Sequence, residues 1–338
     1  MKPLVVVDAD VLGRRRTGDE TYVRNLLREL PPLAEEAGLR IAATTRRPEL
    51  VPEGVQPVEV AAQSQGLRMA LTLPRALRRL GAALCHTQYA LPLRAPCPCI
   101  VTVHDVSFAG GRALMGRKDR LVFRRVVPRA VRCAARVLTV SERTKSDIVE
   151  LYGIPPERIV VTPNGVDSVF HPGNGPRDYV LAVGAIQDRK NQLAALDAAT
   201  AVGLPFVVVG PEKDSFLADE LRKRGARVEG YVDEDRLAEL YRGAACLTQT
   251  SRFEGFGLPV LEAMASGTPV VAVREPALEE VTGGAAVFVD DDGLADGIRQ
   301  ALAERDRLVT AGLERAHAFT WRSTAERTIA VYREVLDA

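Results

Sequence analysis

The 338 residues are 46% apolar and 26% charged, enough for two domains with buried cores, and this composition argues against disorder along the whole chain. No stretch approaches the ~18 uninterrupted apolar residues of a membrane helix, and "MKPLVVVDAD" reaches its acids after too short an apolar run for a signal peptide. The net charge of +1 hides an asymmetry: residues 1–170 hold 26 Lys and Arg against 17 Asp and Glu, and the remainder holds 19 against 27. Halves of opposite charge suggest different partners.

In chain order, "PLVVVDA" reads as a buried strand and "DETYVRNLLREL" carries helical periodicity. Strands are predicted at "RIAAT", "QPVEV", "ALCHT", "CIVTVHD" and "ARVLTVS", with helical segments between several of them. From Arg112 to Arg136 stand nine bases and one acid, Asp119. That stretch reads either as a solvated helix face or as a surface for anionic lipid or a phosphorylated acceptor. Nucleic acid is a poor fit, because no binding motif and few aromatics accompany the charge. "SERTKSDIVELYG" reads as a helix with Ser141 as N-cap. "PNGVDSVFHPGNGPRD" is a linker by its Pro, Gly and Asn content.

The second half starts afresh with the strand "YVLAVGA" and the helix "NQLAALDAATAVG". "PFVVVG", "ARVEGYV", "ACLTQT", "TPVVAV" and "AAVFVD" follow as strands with helices between them. Continuous Val-rich strands alternating with helices demand parallel sheets covered on both faces. The expected architecture is α/β with two doubly wound, Rossmann-like domains facing across a cleft, residues 1–168 and 169–320. A helix over 321–338 either packs back on the first domain or caps the second. Ligands are expected at the carboxyl ends of the strands. The five cysteines fit no zinc spacing and read as reduced, mostly buried thiols of a cytosolic protein.

The chemistry concentrates in "SRFEGFGLPVLEAMASGTPVVA". Pro259 suits the first turn of a helix, so "EGFG" delivers the chain to a helix N-terminus, where free N–H groups and the dipole attract phosphate. Gly255 and Gly257 allow a ligand to approach the backbone. Glu254 and Glu262 on either side would repel phosphate if they touched it, and more plausibly accept hydrogen bonds from hydroxyls. Phosphate in the middle and hydroxyls at each end describe a nucleotide sugar. On spacing alone, a surface turn with two solvated acids fits equally well.

Four segments resemble, in order, those of the large family of retaining, GT-B-fold glycosyltransferases called family 4, and the resemblance spans nearly the whole chain. "TVHDVSF" is similar to the family's first-domain histidine segment. "VLTVSERTKSDIVELYGIPPERIVVTPNGVD" is similar to its pre-hinge segment, and "YVLAVGAIQDRKNQ" to its phosphate-binding strand and loop. "EGYVDEDRLAELYRGAACLTQTSRFEGFG" leads into its E-x7-E signature, here Glu254 and Glu262.

The resemblance implies roles for the matching residues. Glu254 would contact donor-sugar hydroxyls at the reacting centre and Glu262 the ribose. The amides of Gly255, Phe256, Gly257 and Leu258 would hold sugar and diphosphate. Arg189 and Lys190 would clamp the diphosphate as it gains charge. His104 would contact the donor sugar, Gly18 would sit in a loop near the donor phosphate or acceptor, and Tyr231 and Val232 would line the base. Two departures stand out. Ala185 follows Gly184 where many members have an arginine, and Gly13 and Gly18 stand apart where members often pair two glycines.

The expected activity is retaining transfer of a hexose from a nucleotide diphosphate sugar to a glycan or lipid-linked acceptor. GDP-mannose is favoured and a UDP-hexose comes second. No cofactor and no metal are expected: no DxD motif is suitably placed, and "DDD" at Asp290 to Asp292 reads as a helix cap. The expected location is cytoplasmic, with peripheral contact of the basic 112–136 stretch at the inner face of the plasma membrane. A nucleotide-sugar epimerase of the same fold and an inactive nucleotide-sugar-binding protein are the alternatives. A dinucleotide dehydrogenase is disfavoured, since no G-x-G-x-x-G follows the first strand.

Overall fold

The computed structural model describes residues 2–14, 18–62, 64–109, 117–290 and 292–338. The chain divides into two compact units. The first comprises Met1–Gly165 with Trp321–Ala338, and the second Val166–Thr320.

The first unit is built on a seven-stranded, all-parallel sheet. Its strands are β1 (Leu4–Asp8), β2 (Arg40–Thr45), β3 (Gln56–Glu59), β4 (Leu84–Gln88), β5 (Cys99–Val103), β6 (Arg136–Thr139) and β7 (Ile159–Val161), in the order β3-β2-β1-β4-β5-β6-β7. All five residues of β1 are buried. Each fully covered valine contributes about 1.5–3 kcal/mol relative to exposure, so the Val5–Val7 run alone holds this strand at the centre. The edge strand β7 goes beyond the sequence expectation: at three residues it is too short to display a period.

Prolines 31 and 32 would be expected to end the first helix, yet it runs from Gly18 to Glu36 and contains both. Its apolar face explains the continuation, for Leu33 and Ala34, beyond the prolines, are buried with Leu26, Leu27 and Leu30. The helix Trp321–Leu336 packs on this helix within the same unit. Trp321 is buried edge-on to Tyr22, with ring centroids 6.3 Å apart. Tyr332 Oη lies 2.6 Å from His86 Nδ1, whose Nε2 lies 2.7 Å from Thr102 Oγ1. Burial pushes His86 down to about 3, with nearby His104 adding to the effect, so it is neutral at ordinary pH.

The second unit carries a six-stranded parallel sheet: β8 (Tyr179–Val183), β9 (Phe206–Val209), β10 (Arg227–Gly230), β11 (Ala244–Gln249), β12 (Val270–Val273) and β13 (Val287–Val289), in the order β10-β9-β8-β11-β12-β13. All six match expected strands. The chain winds outward from β8 in one direction and from β11 in the other, so the strand order reverses between these two. Ligands of open α/β sheets sit at such a reversal. The expected cap at Asp290–Asp292 is not the N-cap of the following helix. Gly293 holds that position without a side-chain bond, and Asp291 lies outside the described residues. All five cysteines are free thiols. Cys85, Cys99 and Cys246 are buried, Cys97 is half-buried and Cys133 is exposed.

Candidate active site

Every second-unit residue singled out from the sequence stands at the carboxyl edge of the second sheet or on the helix that leaves it. After β8 the chain turns at Gly184, with φ +140°, into the single turn Asp188–Lys190. The backbone angle, not packing, calls for glycine here: the Lys190 stem passes 3.6 Å from where a Cβ would stand, an ordinary contact. After β11 the chain runs through Thr250 to Gly257 into the helix Leu258–Ala265.

These two loops are bonded to each other. Thr250 Oγ1 donates to the carbonyls of Lys190 (2.7 Å) and Asn191 (3.2 Å). The Arg252 N–H donates to the Arg189 carbonyl at 3.1 Å, and the Arg189 guanidinium donates to the Phe253 carbonyl at 2.9 Å. Asn191 holds a left-handed φ of +49° between the turn and the next helix. Non-glycine residues rarely adopt this conformation, and asparagine is among those that do. The cross-bonding over-determines the loops and so makes the strain bearable.

Glu254 is the centre of this construction. Its Oε1 pairs with the Lys190 ammonium and accepts from Gln249 Nε2 at 2.6 Å. Burial alone would push the carboxyl up. The charges of Lys190 and Arg189 outweigh that and hold it below the usual carboxylate range. Glu254 is therefore an anion at neutral pH, an acceptor for hydroxyls rather than a proton donor.

Gly257, with φ +104°, ends the "EGFG" turn and stands at the N-cap of Leu258–Ala265 without a side-chain cap. The amides of the first helical turn thus have no capping side chain, the condition under which a helix N-terminus receives an anion. A side chain at Gly257 would meet Leu278 Cδ2 at 2.7 Å, so packing as well as φ demands glycine. Phe256 is buried edge-on to Phe319 and anchors the turn. Glu262, one turn into the helix, is buried and accepts from the Tyr241 hydroxyl at 2.8 Å. Tyr231 and Val232 follow β10, with Tyr231 about half exposed.

The structure thus brings Arg189, Lys190, Glu254, the Gly255–Leu258 turn and Glu262 together around the β8–β11 reversal, with Tyr231 and Val232 farther along the same edge. His104 and Gly18 belong to the first unit. Gly18 starts the helix after β1. His104 follows β5 and is buried. Its Nε2 lies 2.8 Å from Gln88 Oε1, its carbonyl accepts from Thr144 Oγ1 at 3.2 Å, and the rings of Tyr22 and Tyr89 pack on it. Burial lowers its pKa, and Asp19 and Asp105 oppose this.

Sequence reasoning missed four residues: Gln249, Thr250, Tyr241 and Gln88. The first two left a signal, since polar side chains at the end of the apolar strand "ACLTQT" are what a ligand edge requires. Tyr241, in "ELYRGA", has the spacing of an ordinary core residue, and nothing local marks it. Gln88 meets His104 only because β4 pairs with β5. Among the described residues no cluster of three or more His, Cys, Asp or Glu is arranged to hold a metal ion.

Comparison with known proteins identifies the family. The family model for Glycosyltransferase Family 4 matches residues 16–170, and that for Glycosyl transferases group 1 matches residues 177–304. O-antigen chain mannosyltransferase B of Escherichia coli is 30% identical over 69% of this chain and 70% of its own length. A D-inositol 3-phosphate glycosyltransferase of Acidothermus cellulolyticus is 30% identical over 96% of this chain and 83% of its own. Among solved structures, the sucrose-phosphate synthase of Thermosynechococcus elongatus has a TM-score of 0.79 at 19% identity, covering 99% of each chain. Anabaena HepE in complex with UDP and glucose has a TM-score of 0.74 at 14% identity, covering 99% of this chain and 100% of its own. The chain belongs to the group 1, or family 4, glycosyltransferases. Its two parallel-sheet units are those of the GT-B fold.

Proposed function

We propose that this glycosyltransferase moves a hexose, with retention, from a nucleotide diphosphate sugar to a hydroxyl of a glycan or lipid-linked acceptor. The observation that carries the reading is the placement of Glu254. An ionised, buried carboxylate, fixed by Lys190 and Gln249, stands directly before a helix N-terminus that suits a diphosphate. Glu254 holds hydroxyls of the transferred sugar and Glu262 those of the ribose. Arg189, Lys190 and the Gly255–Leu258 amides stabilise the departing diphosphate, which gains negative charge as the glycosidic bond breaks. The acceptor oxygen forms its bond to the anomeric carbon on the face the diphosphate leaves, and the leaving phosphate takes the acceptor proton. His104 contacts the sugar. In this reading the basic clamp replaces a divalent ion.

GDP-mannose is the proposed donor and a UDP-hexose the second choice. Two relatives named as mannosyltransferases support mannose, the E. coli protein and the MMP alpha-(1->4)-mannosyltransferase of Mycolicibacterium hassiacum, 31% identical over 62% of this chain. The Anabaena protein described with UDP-glucose supports a nucleotide sugar in general. The proposed location is cytoplasmic, with the helix Arg117–Cys133 resting on an anionic membrane. That helix exposes Arg124, Arg125, Arg129 and Arg132 together with Leu121 and Val122. Among the described residues no helix is long and apolar enough to cross a membrane.

The test is thermal stabilisation by GDP, UDP, ADP, TDP and their sugars, each with and without EDTA. A ligand at 100 times its Kd adds ~2.7 kcal/mol. Stabilisation by one diphosphate class, unchanged by EDTA, is expected. No response to any of them would refute the reading.

A further inference from the structure

The first unit holds a buried donor that has no part in the proposed transfer. Gln88 ends β4 at the carboxyl edge of its sheet, next to the β1–β4 point where the strand order reverses. Its Oε1 lies 2.8 Å from His104 Nε2. An amide oxygen only accepts, so His104 Nε2 carries the proton. The other end of the amide, Nε2, is buried and has no hydrogen-bond partner. Buried polar atoms are paired in the great majority of cases, and an orphan calls for a missing partner.

The next residue gives a second, independent sign. Tyr89 has φ +58°, a left-handed backbone that is a genuine outlier for a bulky aromatic residue. Such strain gathers at ligand sites and persists only where surrounding contacts enforce it. Here the Tyr89 ring lies 5.6 Å from His104 and 5.2 Å from Phe123.

We infer that Gln88 is a hydroxyl-binding residue of the first unit: its amide oxygen fixes the His104 ring, and its amide nitrogen donates to a sugar hydroxyl. This deepens, and rests on, the reading of the protein as a hexosyltransferase. The surroundings favour a neutral hydroxyl over an anion. Among the described residues, the groups facing His104 are Asp19 and Tyr22 from the first helix, His86 from β4, Tyr89, and Asp105 beside it. Both charged members are acids, which would repel a phosphate or carboxylate at this point.

Two measurements test the inference. The chain has four histidines, so imidazole nitrogen NMR of the unmodified protein is readable, with His104→Gln assigning the signals. The Nε2–H tautomer of His104 is expected across neutral pH. The Nδ1–H tautomer would overturn the proposal, because Gln88 would then spend its N–H on His104 and present only an oxygen. The second measurement compares Gln88→Ala and Gln88→Glu in sugar transfer and donor hydrolysis. Each should lose kcat/KM on the order of tenfold, as for one hydrogen bond in a dry site. Gln88→Glu should also move the pH profile upward, because a carboxylate beside the imidazole favours its charged form. Rates within twofold of the unmodified protein and an unmoved profile would refute the proposal. If the unmodified protein transferred and hydrolysed nothing, the transferase reading would fall, and the tautomer would still decide the role of Gln88.

Discussion

The Tyr241 hydroxyl donates to Glu262 Oε2 at 2.8 Å, and both side chains are buried. Burial first, and then the Glu262 charge, push the Tyr241 phenol well above its ordinary range, so it remains a donor throughout the working pH range. Tyr241 is itself held: Phe170 packs edge-on at 5.7 Å, and Thr268 Oγ1 donates to the Tyr241 carbonyl at 2.6 Å. The tyrosine thus holds the carboxylate proposed to bind the ribose.

Tyr241→Phe keeps the packing and removes this one hydrogen bond. A hydrogen bond to a charged group contributes about 1.5–3 kcal/mol, so nucleoside diphosphate affinity should fall on the order of tenfold or more. The control is the 2′,3′-dideoxy nucleotide, which has no hydroxyls for Glu262 and should bind both proteins alike. If the variant weakened both nucleotides equally, Glu262 would not be reading the ribose.

The Lys190–Glu254 pair should make stability depend on pH in a defined direction. The Glu254 pKa is lowered in the folded protein: burial raises it, and Lys190 and Arg189 more than compensate. A depressed carboxyl contributes stability that is present above its unfolded value of about 4.3 and lost as pH falls through the folded value. Lys190→Met leaves a buried carboxylate without its main partner, a loss of about 3–5 kcal/mol when one member of a buried pair is removed. Chemical denaturation at neutral pH should show that gap, and it should shrink in acid, as the pH falls through and below the unfolded value of about 4.3 and the carboxyl takes up a proton. A gap of constant size down to pH ~3 would mean that lost packing, not charge, explains the variant.

Much of this was legible in the sequence. Val-rich runs such as "PLVVVDA" and "PFVVVG" announce strands of a covered parallel sheet, and "EGFGLP" announces a turn into a helix. Glu254 and Glu262 could be singled out because their spacing resembles the E-x7-E signature of the family; spacing alone leaves a surface turn with two solvated acids equally open. Their partners were not legible. Gln249 stands five positions from Glu254, but the polarity of "TQT" does not say where its amide points. Tyr241 is 21 positions from Glu262, and Gln88 is 16 from His104. Such pairs form only when strands and helices stack, and local spacing carries no trace of them. The helix through Pro31 and Pro32 shows the opposite case, in which a strong local breaker yields to the burial of Leu33 and Ala34.

His86 offers a second pH test, in the first unit. Its pKa is depressed to about 3 by burial, against an unfolded value of about 6.5. The unfolded chain therefore binds the proton that the folded unit refuses. Stability should be full above pH 6.5 and decline toward pH 3 by roughly 1.4 kcal/mol per unit. His86→Gln should flatten the slope in that window, at the cost of the contact with Tyr332 that helps tie the C-terminal helix to β4. A slope unaltered by the substitution would show that other groups set the acid limb.

The exposed face of the helix Arg117–Cys133 makes the membrane proposal quantitative. Arg124, Arg125, Arg129 and Arg132 are exposed on it, and Leu121 and Val122 are more than half exposed. A basic residue near an anionic surface contributes about 1 kcal/mol. Replacing Arg124, Arg125 and Arg129 by glutamine should therefore reduce vesicle partitioning on the order of a hundredfold. The attraction acts through solvent, so added salt should weaken binding of the unmodified protein. Leu121→Ser with Val122→Ser should leave a smaller, salt-insensitive loss, because it removes apolar contact rather than charge. Sedimentation with phosphatidylserine-containing and neutral vesicles, at low and high salt, measures all three. Equal sedimentation with both vesicle types would remove the membrane from this account and leave the arginines as an ordinary solvated face.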